Sequence, residues 1–160
     1  IEDVAGKGAL AETSFGDVVL RRVACPVVAV SSSGRITLAA FTGGSCSLKT
    51  SFGDIDAEGV FATLSAVTSS GRVRARCRSG SRVTEPWRLE SSFGDVVWEV
   101  ADGLDCSVTA STSFGEVRSD LAVVARRTAK GSLEGDLGKG GVPLLLKTSS
   151  GDVTMRRLPD

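Results

Sequence analysis

Apolar side chains recur at every second position on both sides of a glycine, and the chain repeats this arrangement seven times. With Gly16, Gly34, Gly53, Gly71, Gly94, Gly115 and Gly151 as origins, Ala9, Val27, Cys46, Leu64, Trp87, Val108 and Leu144 stand seven residues earlier. Ala11, Ala29, Leu48, Ala66, Leu89, Ala110 and Leu146 stand five earlier. Two residues after the glycines come Val18, Ile36, Ile55, Val73, Val96, Val117 and Val153, and four after come Leu20, Leu38, Ala57, Ala75, Trp98, Ser119 and Met155. A period of two belongs to strands, since successive side chains of a strand point to opposite faces. Each unit therefore predicts a strand, a corner at the glycine, and a second strand facing the same core. Small and large residues alternate in a column, as in Ala29, Leu48, Ala66, Leu89 and Ala110, which lets stacked layers interdigitate.

The words around the glycines are nearly the same: TSFGDV from Thr13, SSSGRI from Ser31, TSFGDI from Thr50, TSSGRV from Thr68, SSFGDV from Ser91, TSFGEV from Thr112 and TSSGDV from Thr148. The glycines are spaced 18, 19, 18, 23, 21 and 36 residues apart. Periods near 20 mark a solenoid, in which a unit buries its apolar face only against its neighbours. The expectation is an all-β, single-domain parallel β-solenoid (β-helix) of about seven to eight coils, with roughly 18–21 residues per coil, stacked in chain order. Residues 1–8 are a partial coil or cap, 9–117 regular coils, 118–141 an irregular coil holding a degraded eighth copy, and 142–160 the last coil. Arg156, Arg157, Pro159 and Asp160 close that end with charge and a proline, as an exposed edge requires. The extra residues SGSRVTEPW before Gly94 are predicted to loop out, with Trp87 and Trp98 filling the widened coil.

The corner carries its own chemistry. Glycine admits a positive φ, and the residue two before it is always serine, which predicts hydroxyl bonds to backbone freed by the bend. Seven equivalent serines in a chain without histidine do not make a nucleophile. The residue after the glycine reads Asp17, Arg35, Asp54, Arg72, Asp95, Glu116 and Asp152. If units stack in chain order about 4.8 Å apart, the first five form a ladder of alternating sign that opposes slipped pairing, while Asp95 against Glu116 breaks the rule. Before the glycine stand Phe15, Phe52, Phe93 and Phe114, or Ser33, Ser70 and Ser150. Strand parity turns these rings toward the core corner; turned outward, they would instead form an adhesive edge.

Composition narrows the function classes. The 19 basic and 19 acidic residues balance, so no field attracts nucleic acid or an anionic membrane. No apolar run approaches the roughly 18 residues of a spanning helix, which predicts no direct membrane insertion by this segment. No signal peptide is visible. Cys25, Cys46, Cys77 and Cys106 fall in no metal-ligand spacing and read as free thiols, which weighs against an oxidising compartment. Arg74, Arg76, Arg78 and Arg82 give a basic approach to the insertion: a solvated face, or a contact surface for an anion or glycan.

The repeated T-S-[FS]-G-[DE]-[VI] units, followed by RSDL, LEGDLGKGG and LLLKTSSGDV, resemble the adhesin-like family of bacterial envelope proteins, a β-solenoid domain of unknown function, from Ala9 to Leu158. The resemblance implies a location at the cell envelope or surface, often beside a membrane anchor. The free cysteines leave a cytoplasmic location open. It implies no catalytic residue and no cofactor. Arg35 and Arg72 depart from its usual acidic or small residue.

Function follows in outline. The first expectation is a non-enzymatic structural or adhesin-like module presenting strand faces to an unidentified protein or glycan partner. The second is a polysaccharide-binding or polysaccharide-cleaving β-helix, for which Asp54, Asp95 and Glu116 would have to leave their column and converge. Calcium β-rolls need a glycine-aspartate nonapeptide, and an ice-binding face needs threonines that Thr13 and Ser14 cannot share on one side. Self-association through uncapped solenoid ends is the remaining alternative.

Overall fold

The computed structural model describes residues 2–121 and 123–158, so Ile1, Pro159 and Asp160 and the readings placed on them lie outside the described residues. Fifteen strands run in order: β1 (Glu2–Val4), β2 (Ala9–Phe15), β3 (Val18–Val23), β4 (Val27–Ser33), β5 (Ile36–Phe52), β6 (Ile55–Ser70), β7 (Val73–Cys77) and β8 (Trp87–Phe93), then β9 (Val96–Val100), β10 (Cys106–Phe114), β11 (Val117–Ser119), β12 (Val123–Ala129), β13 (Ser132–Leu137), β14 (Pro143–Ser150) and β15 (Val153–Arg157). All belong to one mixed sheet, and no helix occurs among the described residues.

The seven glycine units pair in parallel, column upon column. Val18 lies beside Ile36, Ile36 beside Ile55, Ile55 beside Val73 and Val73 beside Val96. Before the corner, Ala29 pairs with Leu48 and Leu48 with Ala66, as the repeat alignment requires. The two-residue periodicity is the physical cause: Leu20, Ala29, Ile36, Leu64, Ala66, Val73, Leu89, Val108, Leu146 and Met155 are all fully buried in one continuous core. Trp87 and Trp98 are buried in that core as expected. Phe41 stacks on Phe61 at 5.2 Å, Phe61 meets Trp87 edge-on at 6.3 Å, and the Trp87 indole N–H donates to the Ala62 carbonyl at 2.8 Å.

The stacking order departs from chain order. Strand β14 pairs with β8 on one side and β10 on the other, and β15 lies between β9 and β11. The last unit is thus inserted between the fifth and sixth, and the glycine order down the stack is 16, 34, 53, 71, 94, 151, 115. The degraded eighth copy expected within 118–141 is instead an antiparallel hairpin: β12 pairs with β13, and β13 covers the outer edge of β10 from Cys106 to Ser111. A strand running back antiparallel satisfies the backbone groups that an end unit leaves open. At the other end β1 pairs in parallel with β3 through Glu2–Arg21 and Val4–Val23.

The insertion before Gly94 does not loop away. Arg82 N–H donates to the Phe61 carbonyl at 2.9 Å, and the Phe61 N–H donates to the buried Ser81 hydroxyl at 3.1 Å. Val83, only 9% exposed, joins the core. A polar loop with one well-placed valine is held along β6 because it can bury that side chain there.

Candidate functional site

All seven units place the same corner in register down the stack, and at five of them glycine is required twice over. At Gly34, Gly53, Gly71, Gly94 and Gly151 φ lies between 143° and 147°, where side chains are strained. A Cβ on Gly34, Gly53, Gly71 or Gly94 would also stand 2.1 Å from the carbonyl oxygen of the glycine one unit above. That carbonyl accepts a hydroxyl bond from the unit below. Ser31 donates to Gly16, Thr50 to Gly34, Thr68 to Gly53, Ser91 to Gly71, Thr148 to Gly94 and Thr112 to Gly151, at 2.8 to 3.4 Å. The working hydroxyls are therefore three residues before the glycine. The serines two before it, Ser14, Ser32, Ser69, Ser92, Ser113 and Ser149, are exposed, with Ser51 half-buried, so the assignment of the corner bond to that column is corrected.

The rings beside the glycine also turn the other way from strand parity. Phe15 is 83% exposed, Phe52 62%, Phe93 63% and Phe114 78%, so they face solvent and do not enter the core corner. Alternation ends at the buried Ser or Thr, and the bend into glycine carries the next two side chains outward together. Down the observed stack the column reads Phe15, Ser33, Phe52, Ser70, Phe93, Ser150, Phe114. Ring and hydroxyl alternate without a break over all seven units. Rings two units apart are separated by about 9.6 Å along the edge.

On the far side of the glycine the charged column reads Asp17, Arg35, Asp54, Arg72, Asp95, Asp152, Glu116. Asp95 lies against Asp152 and not Glu116, a correction that follows from the inserted unit. Its main bonds run from carboxylate to backbone. Asp17 accepts the Arg35 N–H and Asp54 the Arg72 N–H, both at 2.8 Å; Asp95 accepts the Asp152 N–H and Asp152 the Glu116 N–H, both at 2.9 Å. Between side chains of the column, Arg35 and Asp54 approach to 3.7 Å and both are largely exposed. Arg72 makes no ion pair among the described residues. Asp54, Asp95 and Glu116 stay on separate units and do not converge as a hydrolytic pair would need.

The basic surface proposed from Arg74, Arg76, Arg78 and Arg82 is mostly neutralised. Arg74 binds the buried Glu99 carboxylate at 2.7 Å, and Arg156 reaches the same oxygen at 3.4 Å. Arg76 spans Asp56 at 3.1 Å and Glu58 at 3.2 Å, and Arg78 Nε donates to Glu58 at 2.8 Å. Arg82 is exposed on the insertion. Sequence reading missed the acids because they sit at the paired positions of neighbouring units: Glu58, Arg76, Glu99 and Arg156 form one column of alternating sign.

Cys25, Cys46, Cys77 and Cys106 are all free and buried. Burial pushes the Cys46 thiol far up, and it raises Cys77 and Cys106 to about 12, with Asp105 and Asp136 adding to the rise at Cys106. Such thiols stay protonated and unreactive at neutral pH. Among the described residues, no group of three or more Cys, Asp or Glu side chains is placed to hold a metal ion. A cleft near β11 is lined by Asp102, Asp105 and Asp120, but Asp102 is paired with Arg157 and Asp105 accepts the Lys139 N–H at 3.0 Å. No helix is long and apolar enough to cross a membrane, among the described residues.

A repeat that builds a sheet with one glycine corner per unit makes this an all-β repeat protein. The chain belongs to the Toastrack DUF4097 family, a domain of unknown function, which it matches over residues 1–156. No curated protein and no solved structure matches it.

Proposed function

We propose that this chain is a non-enzymatic interaction module, wound as a parallel β-solenoid, that presents the phenylalanine edge to a protein or glycan partner at the cell envelope. The observation that carries the reading is the exposure of Phe15, Phe52, Phe93 and Phe114 on every second unit. A single exposed ring is ordinary, but four in register on one edge make a regular apolar surface. Three of the four rings stand on a backbone fixed by a hydroxyl bond to a glycine carbonyl, from Thr50, Ser91 and Thr112, while Thr13 donates to the Phe15 carbonyl in the first unit. The flanking carboxylates of Asp17, Asp54, Asp95 and Glu116 add hydrogen-bond acceptors beside each ring, a combination that suits both sugar faces and protein side chains.

A catalytic reading has less behind it. The Ser and Thr hydroxyls three before the glycines, Thr13 apart, are committed to glycine carbonyls, the thiols are buried, and Asp17, Asp54 and Asp95 of the corner are bonded to backbone N–H groups. The test is binding to isolated bacterial envelope fractions by wild type and by the Phe15→Ser, Phe52→Ser, Phe93→Ser, Phe114→Ser quadruple variant. Binding should fall at least about tenfold with the melting temperature unchanged, as expected for exposed anchor rings. Equal binding by the two proteins would refute the edge as the contact surface.

A further inference from the structure

The edge is complementary to itself, and we propose that its occupant is a second copy of this chain, docked antiparallel across a two-fold axis between the units of Gly34 and Gly53. The inference rests on the reading of this edge as the contact surface and names its partner. The first four units read Phe15 with Asp17, Ser33 with Arg35, Phe52 with Asp54, and Ser70 with Arg72. Large and negative alternates with small and positive. A two-fold axis in the contact plane, perpendicular to the stack, keeps each column opposite its own kind and reverses its direction. It therefore sets Phe15 of one copy over Ser70 of the other and Phe52 over Ser33, so that each ring enters the gap between the rings facing it. The same operation brings Asp17 against Arg72 and Asp54 against Arg35, each twice.

Other registers are worse. An axis through a glycine unit opposes ring to ring and like charge to like charge. Shifting it to lie between Gly53 and Gly71 sets Asp17 against Asp152, and between Gly71 and Gly94 it sets Asp54 against Asp152. Between Gly16 and Gly34 no like charges meet, but only two units engage. The chosen register is the longest one free of repulsion, and Arg72 enters it with no competing ion pair among the described residues. Juxtaposed like charges select against wrong registers more strongly than the exposed opposite pairs select for the right one. The contact spans four units, about 14 Å along the column, and a contact that short makes the dimer weak and dependent on concentration.

Sedimentation velocity over a concentration series tests it. Wild type should pass from monomer to dimer toward high concentration, and more salt should weaken the dimer through its four charge pairs. Phe15→Ser with Phe52→Ser should weaken association at least about tenfold, whereas Phe114→Ser, outside the register, should leave it unchanged. Equal loss from Phe114→Ser, or a dimer strengthened by salt, overturns the register. A wild type that stays monomeric while envelope binding still depends on the four rings overturns the second copy as occupant and leaves the edge as a contact surface. If neither dimerisation nor envelope binding responds to any ring, both readings fall.

Discussion

The Asp95 carboxylate accepts the backbone N–H of Asp152 at 2.9 Å, across 57 residues of chain. Two acids on adjacent units repel, yet here the upper one satisfies a backbone donor of the lower one. The same bond recurs from Asp17 to Arg35 and from Asp54 to Arg72, where the lower residue is basic. The acid in this column is therefore selected first as an acceptor and only second as a charge.

Substitutions in the column should separate the two roles. Asp95→Asn keeps an acceptor oxygen and removes a repulsion, so stability should stay within about 0.5 kcal/mol of wild type, while Asp95→Ala should cost about 1 kcal/mol by urea unfolding. Arg72→Asp puts an acid against both Asp54 and Asp95, two contacts of the kind Asp95 and Asp152 already tolerate, and should lower stability by about 1 kcal/mol or less even at low salt. A larger loss for Arg72→Asp than for Asp95→Ala would show that charge dominates.

Glycine at the corner is expected to be irreplaceable inside the stack and less so at its first unit. Gly53→Ala combines φ 147° with a Cβ placed 2.1 Å from the Gly34 carbonyl oxygen, which only a backbone shift relieves. Gly16→Ala has φ 115° and nothing within 4 Å. Denaturant melts should give a loss of at least about 3 kcal/mol for Gly53→Ala and about 1 to 2 kcal/mol for Gly16→Ala.

The inside of the sheet was legible in the sequence because period-two columns state burial directly: Leu20, Ile36, Leu64 and Val73 all lie where the columns put them. Neighbour order was not, since nearly identical motifs make each unit an acceptable neighbour for any other. One signal did carry it. Phe and Ser alternate through all seven corners only when Ser150 is placed between Phe93 and Phe114, and the 36-residue gap before Gly151 left room for the chain to return. The ring direction failed for a different reason, because Phe52 and Phe93 are the last strand residues before the glycine bend, where the alternation that holds up to Thr50 and Ser91 no longer applies.

The buried thiols give a pH dependence with a definite sign. Cys77 is held protonated in the fold up to about 12, against an ordinary value of 9.0, chiefly by burial. The unfolded chain releases that proton first, so stability is level below pH 9 and falls as pH rises from 9 toward 12. Native protein at pH 8 should show essentially no thiols to a disulfide reagent, and all four cysteines after denaturation. Rapid labelling of Cys77 in the native state would contradict its burial.

The inserted unit should be the last part of the sheet to assemble. Strands β8 and β10 carry equivalent words, Ser91 to Asp95 and Thr112 to Glu116, and both present a free parallel edge until β14 arrives between them. Pairing them directly would satisfy those edges, but it would set Phe93 beside Phe114 and deprive the core of Leu144, Leu146, Val153 and Met155, all fully buried. Each such side chain contributes about 1.5 to 3 kcal/mol of burial, so the inserted arrangement wins by far more than the backbone pairing differs. Leu146→Ala should then cost about 2 to 5 kcal/mol and mainly speed unfolding, while Leu48→Ala, in the unit paired directly with its chain neighbours, should also slow folding. Stopped-flow tryptophan fluorescence reads both rates, since Trp87 lies directly beside Leu144 in the pairing of β8 with β14. Equal slowing of folding by the two substitutions would mean that the last unit enters the stack together with the rest.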